Sequence, residues 1–284
     1  MKIGPYTLHA IETGSFGLDG GAMFGVVPRN LWSRTNPPDE KNRIRMSARA
    51  LLAVSEDRKV LVDVGNGTKY SDKLRSIYKF DNSQHDLLSS LSRHGIAPGD
   101  ITDVILTHLH FDHAGGSTIL VDGTPAPTFP SARYYVQKDH WHAAQNPTER
   151  DRASFFPHDF APLMDHGQLE LIDGEGEILP GISVRLMHGH TTALQCPIVH
   201  DNADTLFYCA DLMPTTSHIP VPWIMAYDLR PLQTLEEKKR LLPEAAEEGW
   251  TLFFEHDPVT PAATVGQSDK GFVLGDPVDL EGGS

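Results

Sequence analysis

The sequence has 284 residues, of which 39% are hydrophobic, and a formal net charge of −14. A chain of this length and composition can bury a large apolar core, and we expect residues 1–284 to form a single domain. The negative charge, which no local cluster of Lys or Arg offsets, argues against binding to a phosphate backbone. We therefore expect no nucleic-acid partner and favour a neutral small-molecule substrate.

Hydropathy and cysteine content bear on the compartment in which the protein works. No run approaches the roughly 18–20 apolar residues that a membrane helix needs, and the N-terminal residues lack the apolar core of a signal peptide. Cys196 and Cys209 are too few for a disulfide framework. We expect a cytoplasmic protein with no membrane partner.

The N-terminal part of the chain has the pattern of strands around one irregular segment. Apolar runs predict strands over 7–12, 45–54 and 59–64, the last two joined as a hairpin by a polar turn. The segment 14–42 is rich in Gly and Pro and also carries apolar residues, which need a surface to cover. It is expected to line a pocket or a dimer contact, or else to pack on its own core. The glycines of the loop 63–67 suit a functional turn beneath a site.

A helix and a buried strand follow the hairpin. Ser83 is a candidate N-cap, three leucines over 87–91 form an apolar stripe, and Gly95 ends the predicted helix. The next strand, over 102–106, opens directly onto a cluster of polar residues. We expect that cluster to lie at the C-terminal end of a buried strand.

The rest of the chain alternates strands with two helices. The predicted strands cover 133–136, 169–172, 182–186, 196–200, 206–209 and 251–254. The predicted helices cover 138–145 and 234–248, the second with Pro243 as a kink or break. The acidic stretch 262–284 is either an added edge strand or a tail. Together these elements predict an α/β fold with two sheets flanked by helices.

Four metal-competent side chains occur within six residues after the strand over 102–106: His108, His110, Asp112 and His113. Imidazole and carboxylate ligands suit Zn, Mn, Fe or Co, and the lack of a thiolate in the cluster argues against a closed structural zinc site. The spacing therefore predicts an open, catalytic metal centre. The remaining histidines, including His140, lack a comparable cluster, and we assign them surface, core or helix-end roles.

The motif His108-x-His110-x-Asp112-His113 resembles the signature of the metallo-β-lactamase superfamily. Later segments resemble that family in the expected order: Gly189-His190-Thr191, Cys209-Ala210-Asp211 and Glu255-His256-Asp257. The resemblance implies a four-layer αβ/βα sandwich of two mixed β-sheets, with a site for two divalent ions, Zn first and Mn, Fe or Co as alternatives. The implied ligands are His108, His110 and His190 for the first ion, Asp112, His113 and His256 for the second, and Asp211 as a bridge between both.

Within that family, the metal motif and the segment 19–32 look most like the N-acyl homoserine lactonases and the YtnP-like proteins. This resemblance implies a homodimer and a neutral lactone substrate with an apolar tail, of the kind broken down in quorum quenching. It also implies that Met23, Phe24 and Trp32 line the pocket for the acyl chain.

One position departs from the lactonase pattern. Several of these lactonases place a Tyr three residues after the bridging Asp, where it binds the lactone carbonyl, but this sequence has Pro214 there. Tyr227 is the candidate replacement as a substrate-binding residue.

The resemblance also implies a mechanism, with alternatives that share parts of the site. A hydroxide that bridges two ions attacks the lactone carbonyl, and Asp112 accepts its proton and returns it to the leaving alkoxide. A phosphotriesterase or another ester hydrolase would use the same hydroxide. A persulfide dioxygenase with one iron fits the full ligand set less well, and a non-enzymatic binding module would be favoured only by a metal-free protein.

Overall fold

The strands form two mixed sheets in the computed structural model, which describes residues 1–281. Both sheets are built from the apolar runs of the sequence, with turns at glycines and polar residues. In chain order the strands are β1 Lys2–Ile3, β2 Tyr6–Asp19, β3 Arg43–Val54, β4 Lys59–Val62, β5 Asp103–Ile105, β6 Thr118–Val121, β7 Thr124–Pro127, β8 Arg133–Gln137, β9 Leu169–Ile172, β10 Gly176–Leu179, β11 Ile182–Met187, β12 Leu194–His200, β13 Thr205–Tyr208, β14 Thr251–Phe253, β15 Ala262–Ser268 and β16 Gly271–Pro277.

The first sheet has the strand order β1-β2-β3-β4-β5-β8-β9 and the second has the order β10 to β16. In the first sheet, neighbours are antiparallel from β1 to β4 and parallel from β4 to β9. In the second, β13 and β14 are parallel and the other neighbours are antiparallel. Strands β6 and β7 form a separate hairpin.

Helices connect the strands and cover the sheets. In chain order they are α1 Gly20–Phe24, α2 Arg29–Trp32, α3 Asp72–Tyr78, α4 Leu87–Arg93, α5 Phe111–Ala114, α6 Lys138–Gln145, α7 Pro157–Asp165 and α8 Pro231–Glu247. Leu91 of α4, Trp141 of α6 and Phe160 of α7 are buried in one cluster with Leu61 and Val104 of the first sheet. The predicted fold class, two mixed sheets flanked by helices, is confirmed.

A second apolar cluster joins the two sheets. Val62 and Ile105 of the first sheet are fully buried with Leu206 and Phe253 of the second. Helix α8 adds Leu242 and its neighbours to the same cluster. Burial of this apolar surface supplies the main favourable free energy that holds the two sheets face to face.

Several predicted boundaries need correction. Strand β2 continues to Asp19, and α1 and α2 follow it, so about half of the segment 14–42 is regular rather than irregular. Helix α4 starts after Asp86, whose carboxylate accepts a hydrogen bond from the Ser89 N–H, because the Ser83 hydroxyl is bound to Asp81 instead. Helix α8 continues through Pro243 without a break, since apolar residues on both sides of the proline are buried.

The stretch after residue 261 forms strands rather than a loose tail. Strands β15 and β16 are an antiparallel hairpin that extends the edge of the second sheet. The last three positions of the predicted stretch, 282–284, lie outside the described residues. Within residues 1–281, no helix has the length and apolar character that a membrane crossing requires.

Arg49 of β3 ties the first sheet to the end of β14. Its side chain is 3% exposed, and its guanidinium donates to the carbonyls of Phe254 and Asp257 and pairs with Glu12 at 2.5 Å. These carbonyls flank the segment that carries His256. The ion pair therefore links the packing of the two sheets to the position of a predicted metal ligand.

We expect Arg49→Met to lower the free energy of unfolding by roughly 3 kcal/mol, because it leaves two buried carbonyls and Glu12 without their partner. Urea denaturation of the metal-free protein measures this change. Arg45 lies on the same strand but is exposed, so Arg45→Met is the matched control and should change stability by less than about 0.5 kcal/mol. Equal effects of the two substitutions would contradict the role given to Arg49.

Candidate metal centre

The predicted ligand cluster lies where the buried strand β5 ends. Residues 106–110 form the connection to α5, and His110 is the N-cap residue of that helix. The short helix carries Asp112 and His113, and both are buried together with His108, whose ring centroid lies 3.9 Å from that of His113. The predicted location at the C-terminal end of a strand is therefore observed.

The structure brings a first group of four potential ligands together: His108, His110, His190 and Asp211. The Nδ1 atom of His110 lies 3.0 Å from Nε2 of His108 and 3.2 Å from Nε2 of His190. Nε2 of His190 lies 3.0 Å from one carboxylate oxygen of Asp211. Burial lowers the pKa values of His108 and His110, so that these nitrogens are neutral acceptors.

A second group lies on the other side of Asp211. The Oδ1 atom of Asp211 is 3.6 Å from Nε2 of His113 and 3.5 Å from Nε2 of His256. The carboxylate of Asp112 is 3.9 Å from the first of these nitrogens and 3.7 Å from the second. All seven residues that were predicted as ligands thus lie together, with Asp211 facing both groups.

These donors fit divalent cations. Within residues 1–281, Oδ1 of Asp211 is buried without a hydrogen-bond partner, although it lies between two imidazoles. A buried carboxylate in that state is costly unless a cation compensates it. Nδ1 of His110 and Nε2 of His108, which lie 3.0 Å apart on rings that burial keeps neutral, can also give their lone pairs to a shared metal ion.

Buried acceptors orient the imidazoles from behind. Asp228 lies 2.9 Å from Nδ1 of His190 and in turn accepts a hydrogen bond from the Thr234 hydroxyl. The carbonyl of Ser47 lies 2.8 Å from Nδ1 of His256. Such partners fix the tautomer so that Nε2 faces the ligand position.

The glycine-rich loop 63–67 lies beneath the site, as the sequence indicated. Asp63 accepts hydrogen bonds from the backbone and the hydroxyl of Thr107 and lies 3.1 Å from Nδ1 of His113. Gly67 has φ +69°, and a Cβ atom there would lie 2.3 Å from the Gly115 carbonyl. Only glycine allows this loop to pack so closely against the residues that follow α5.

Glu255 is a further acidic group that the ligand prediction omitted. Its Oε1 atom lies 2.6 Å from Nδ1 of His113 and 2.9 Å from Nε2 of His256, and the side chain is 1% exposed. Burial opposes its ionisation, but the two imidazoles hold the pKa of Glu255 at about 2. The adjacent position of Glu255 and His256 in the sequence was the available signal.

His140 has a role that the sequence did not reveal. It is fully buried on α6, where Nε2 accepts from the Leu109 N–H and Nδ1 donates to the Thr192 carbonyl. Burial lowers the pKa of His140 to about 4, so the ring stays neutral and can do both. It therefore bridges the segments that carry His108 and His190, which is a core role, one of those assigned to the remaining histidines.

A cavity of about 340 Å³ opens onto the metal-ligand residues. Met23 and Tyr227, two of the predicted substrate-binding residues, lie in its wall. Phe24 and Trp32 do not, because they stack on each other behind that wall with ring centroids 5.4 Å apart. The expectation that all four contact the substrate is corrected: Phe24 and Trp32 support the wall.

A buried ion pair holds α5 from the side opposite the cavity. Lys69 pairs with the fully buried Asp159 at 3.0 Å and donates to the carbonyls of Gly115 and Thr118. The Tyr70 hydroxyl bonds to Asp159 and donates to the carbonyl of Phe111. The backbone on both sides of Asp112 and His113 is therefore anchored.

We expect Lys69→Met to lower the free energy of unfolding by about 3–5 kcal/mol, because it leaves the Asp159 carboxylate buried and uncompensated. We also expect weaker zinc binding, since the residues around Asp112 lose their anchor. Urea unfolding of the metal-free protein and a zinc titration measure the two effects. The exposed Lys73 offers a control, Lys73→Met, and a Lys69 variant that matched it in both measurements would refute the role.

Comparison with known proteins supports the assignment of family. The model for the metallo-beta-lactamase superfamily matches residues 45–256, a span that contains all seven ligand residues. N-acyl homoserine lactonase AiiA of Bacillus thuringiensis subsp. kurstaki is 26% identical over 174 residues, which are 60% of this chain and 62% of that protein. An N-acyl homoserine lactonase of Bacillus sp is 27% identical over the same shares. The match thus spans less than two thirds of these relatives.

Solved structures extend the likeness to nearly the whole chain. A probable metal-dependent hydrolase from Staphylococcus aureus has a TM-score of 0.88 and 28% identity, over 98% of this chain and 100% of that one. AidC, a dizinc quorum-quenching lactonase, has a TM-score of 0.81 and 20% identity, over 98% and 97% of the two chains, which shows a shared fold. The resemblance seen in the motifs is confirmed, and the chain belongs to the metallo-β-lactamase superfamily.

Proposed function

We propose that this protein is a divalent-metal-dependent hydrolase that opens a lactone ring, with N-acyl homoserine lactones as its substrate class. The observation that carries the proposal is the clustering of seven potential ligands, five of which line a cavity with a mostly apolar wall. Similarity to N-acyl homoserine lactonases over part of their length supports the choice of substrate.

The proposed cofactor is a pair of divalent ions, with Zn the first candidate and Mn, Fe or Co the others. His108, His110 and His190 would hold one ion, Asp112, His113 and His256 the other, and Asp211 would contact both. When bound, such ions bring the pKa of a coordinated water near neutrality and polarise an ester carbonyl.

Asp112 is proposed as the group that moves the proton. Its carboxylate lines the cavity and lies 3.9 Å from Nε2 of His113 and 3.7 Å from Nε2 of His256, beside the proposed site of the second ion. There it would accept the proton that attacking water loses and then pass it to the ring oxygen as the carbon–oxygen bond breaks. Water thus adds across the ester bond, and the product is an open-chain hydroxy acid.

The cavity wall suits a neutral substrate with an apolar tail. Met23, Met46 and Met225 supply flexible apolar contacts, and the guanidinium of Arg150 is engaged by the Ala226 carbonyl. Because Pro214 has no hydroxyl to offer, we propose that Tyr227, which is 39% exposed at the cavity, binds the lactone carbonyl.

Elemental analysis of the purified protein tests the cofactor. We expect about two divalent ions per chain, because the ligands divide into two groups around Asp211. Asp112→Asn should lower kcat by at least about 100-fold, since the amide cannot accept a proton. Metal content measured in the same variant separates lost proton transfer from lost binding. A single iron in the wild type would favour the dioxygenase class instead.

A substrate panel tests the reaction. Hydrolysis rates are measured for an N-acyl homoserine lactone series, an aryl ester and a phosphotriester, with chelator-treated protein as the control. We expect the highest kcat/KM for a lactone with a long acyl chain, because the wall buries apolar surface. A higher kcat/KM for the phosphotriester would leave the proposed metal chemistry in place but would show that the substrate class is a phosphotriester rather than a lactone.

A further inference from the structure

Lys238 is a buried charged residue that the proposed reaction does not use. It lies on α8 with no exposed surface, and its ammonium group donates to the carbonyls of His218, Pro220 and Trp223 at 2.5–2.9 Å. All three partners are uncharged, and burial lowers the pKa of Lys238 to about 7. A buried ammonium group without acceptors is costly, and without Lys238 the carbonyls of His218 and Trp223 would lose the donor that binds them. The ammonium group and the carbonyls that it binds therefore stabilise one another.

The three carbonyls belong to the segment 218–229, which we call the wall segment. Met225, Ala226, Tyr227 and Leu229 of this segment line the cavity. The backbone from 219 to 229 has no regular secondary structure. Its path past the cavity consequently relies on contacts with other parts of the chain.

The wall segment also holds the neighbouring stretch 22–24, part of which lines the cavity. Nε2 of His218 lies 2.8 Å from the carbonyl oxygen of Met23. The His218 ring also stacks on the ring of Phe24, and the two ring centroids are 4.7 Å apart. The Ala226 N–H donates to the Ala22 carbonyl. A shift of the wall segment would therefore move Met23 as well as Met225, and both side chains line the cavity.

A different turn of the same helix supports the metal ligands. The Thr234 hydroxyl donates to Asp228 at 2.6 Å, and Asp228 contacts Nδ1 of His190. Thr234 and Lys238 are four residues apart, so they lie on one face of α8. Helix α8 thus holds the wall segment at two points: Lys238 binds its first part, 218–223, and Thr234 binds Asp228 near its end, where the segment contacts His190.

We propose that Lys238 is a positioning residue that sets substrate selectivity: its three hydrogen bonds to carbonyls fix the wall segment, and with it the apolar contacts offered to the substrate tail. Lys238 touches neither the substrate nor the metal ligands. The selectivity claim rests on the proposed lactonase function, whereas the ordering of the wall segment does not.

The test compares Lys238→Met with Lys239→Met in the metal-loaded protein. Lys239 is the neighbouring lysine, is exposed and, among residues 1–281, pairs only with Glu236, so its substitution controls for the loss of one charge on α8. In Lys238→Met we expect amide hydrogen exchange across 218–229 to rise by about tenfold or more, while the metal content stays that of the wild type. Lys239→Met should match the wild type in hydrogen exchange and in metal content.

Turnover adds a second readout. Lys238→Met should reduce the preference for a long-chain over a short-chain lactone by roughly tenfold, mainly through KM, with kcat within about threefold of the wild type. Thr234→Val releases the wall segment at Asp228 instead, and because Asp228 contacts His190 we expect this variant to bind metal more weakly. If the wild type hydrolyses no lactone, the proposed function fails, and hydrogen exchange still decides the role of Lys238.

Wild-type exchange and selectivity in folded Lys238→Met would overturn the proposal. Should that variant not fold, Lys238→Arg and Lys238→Gln replace it, because arginine keeps the charge and several donors whereas glutamine keeps only a neutral amide. We then expect wall-segment protection and chain-length preference to persist with arginine and to fall with glutamine. Equal hydrogen exchange and equal chain-length preference in the arginine and glutamine variants would also overturn the proposal.

Discussion

The buried carboxylate of Asp211 imposes the constraint on which the rest of the site depends. It lies between two groups of imidazole nitrogens, and burial alone would drive it to the neutral acid. The positive charges that His190 and His113 can carry oppose that effect and hold the pKa of Asp211 below its usual range. A carboxylate kept ionised in the interior needs cationic partners, and two divalent ions would meet that need better than protonated histidines.

Around that centre, the fold places a hydrogen-bonding partner beside Nδ1 of each of three imidazoles. Asp228 serves His190, the Ser47 carbonyl serves His256, and Asp63 and Glu255 approach His113. These partners come from distant parts of the chain. The geometry of the site is therefore a property of how the two sheets and α8 meet, and damage to that packing should reach the ligands.

The side chains that line the cavity are supported by other side chains packed behind them. Met23 and Met225 face the open space, Phe24 and Trp32 stack behind the first of them, and His218 connects the two sides. Methionines adapt their shape easily, so an apolar wall built on them can accept tails of different length. Its selectivity then depends on how firmly the backbone behind it is held.

The sequence by itself determined the elements whose signals are local. The strand over 103–105, the hairpin of β3 and β4 and the ligands from His108 to His113 follow from apolar patterning and from donors spaced within a few residues. The later ligands were identified through their resemblance to family segments, and the structure brings them to the same place.

The tertiary structure alone decided which distant groups support that site. His140, Lys69 and Lys238 carry no local pattern that separates them from ordinary surface residues. Their roles arise because folding removes water and leaves each with one set of buried partners, and neither that loss of solvent nor the identity of the partners is written in neighbouring residues. For the same reason Phe24 and Trp32, apolar like Met23, stand behind the cavity wall rather than in it.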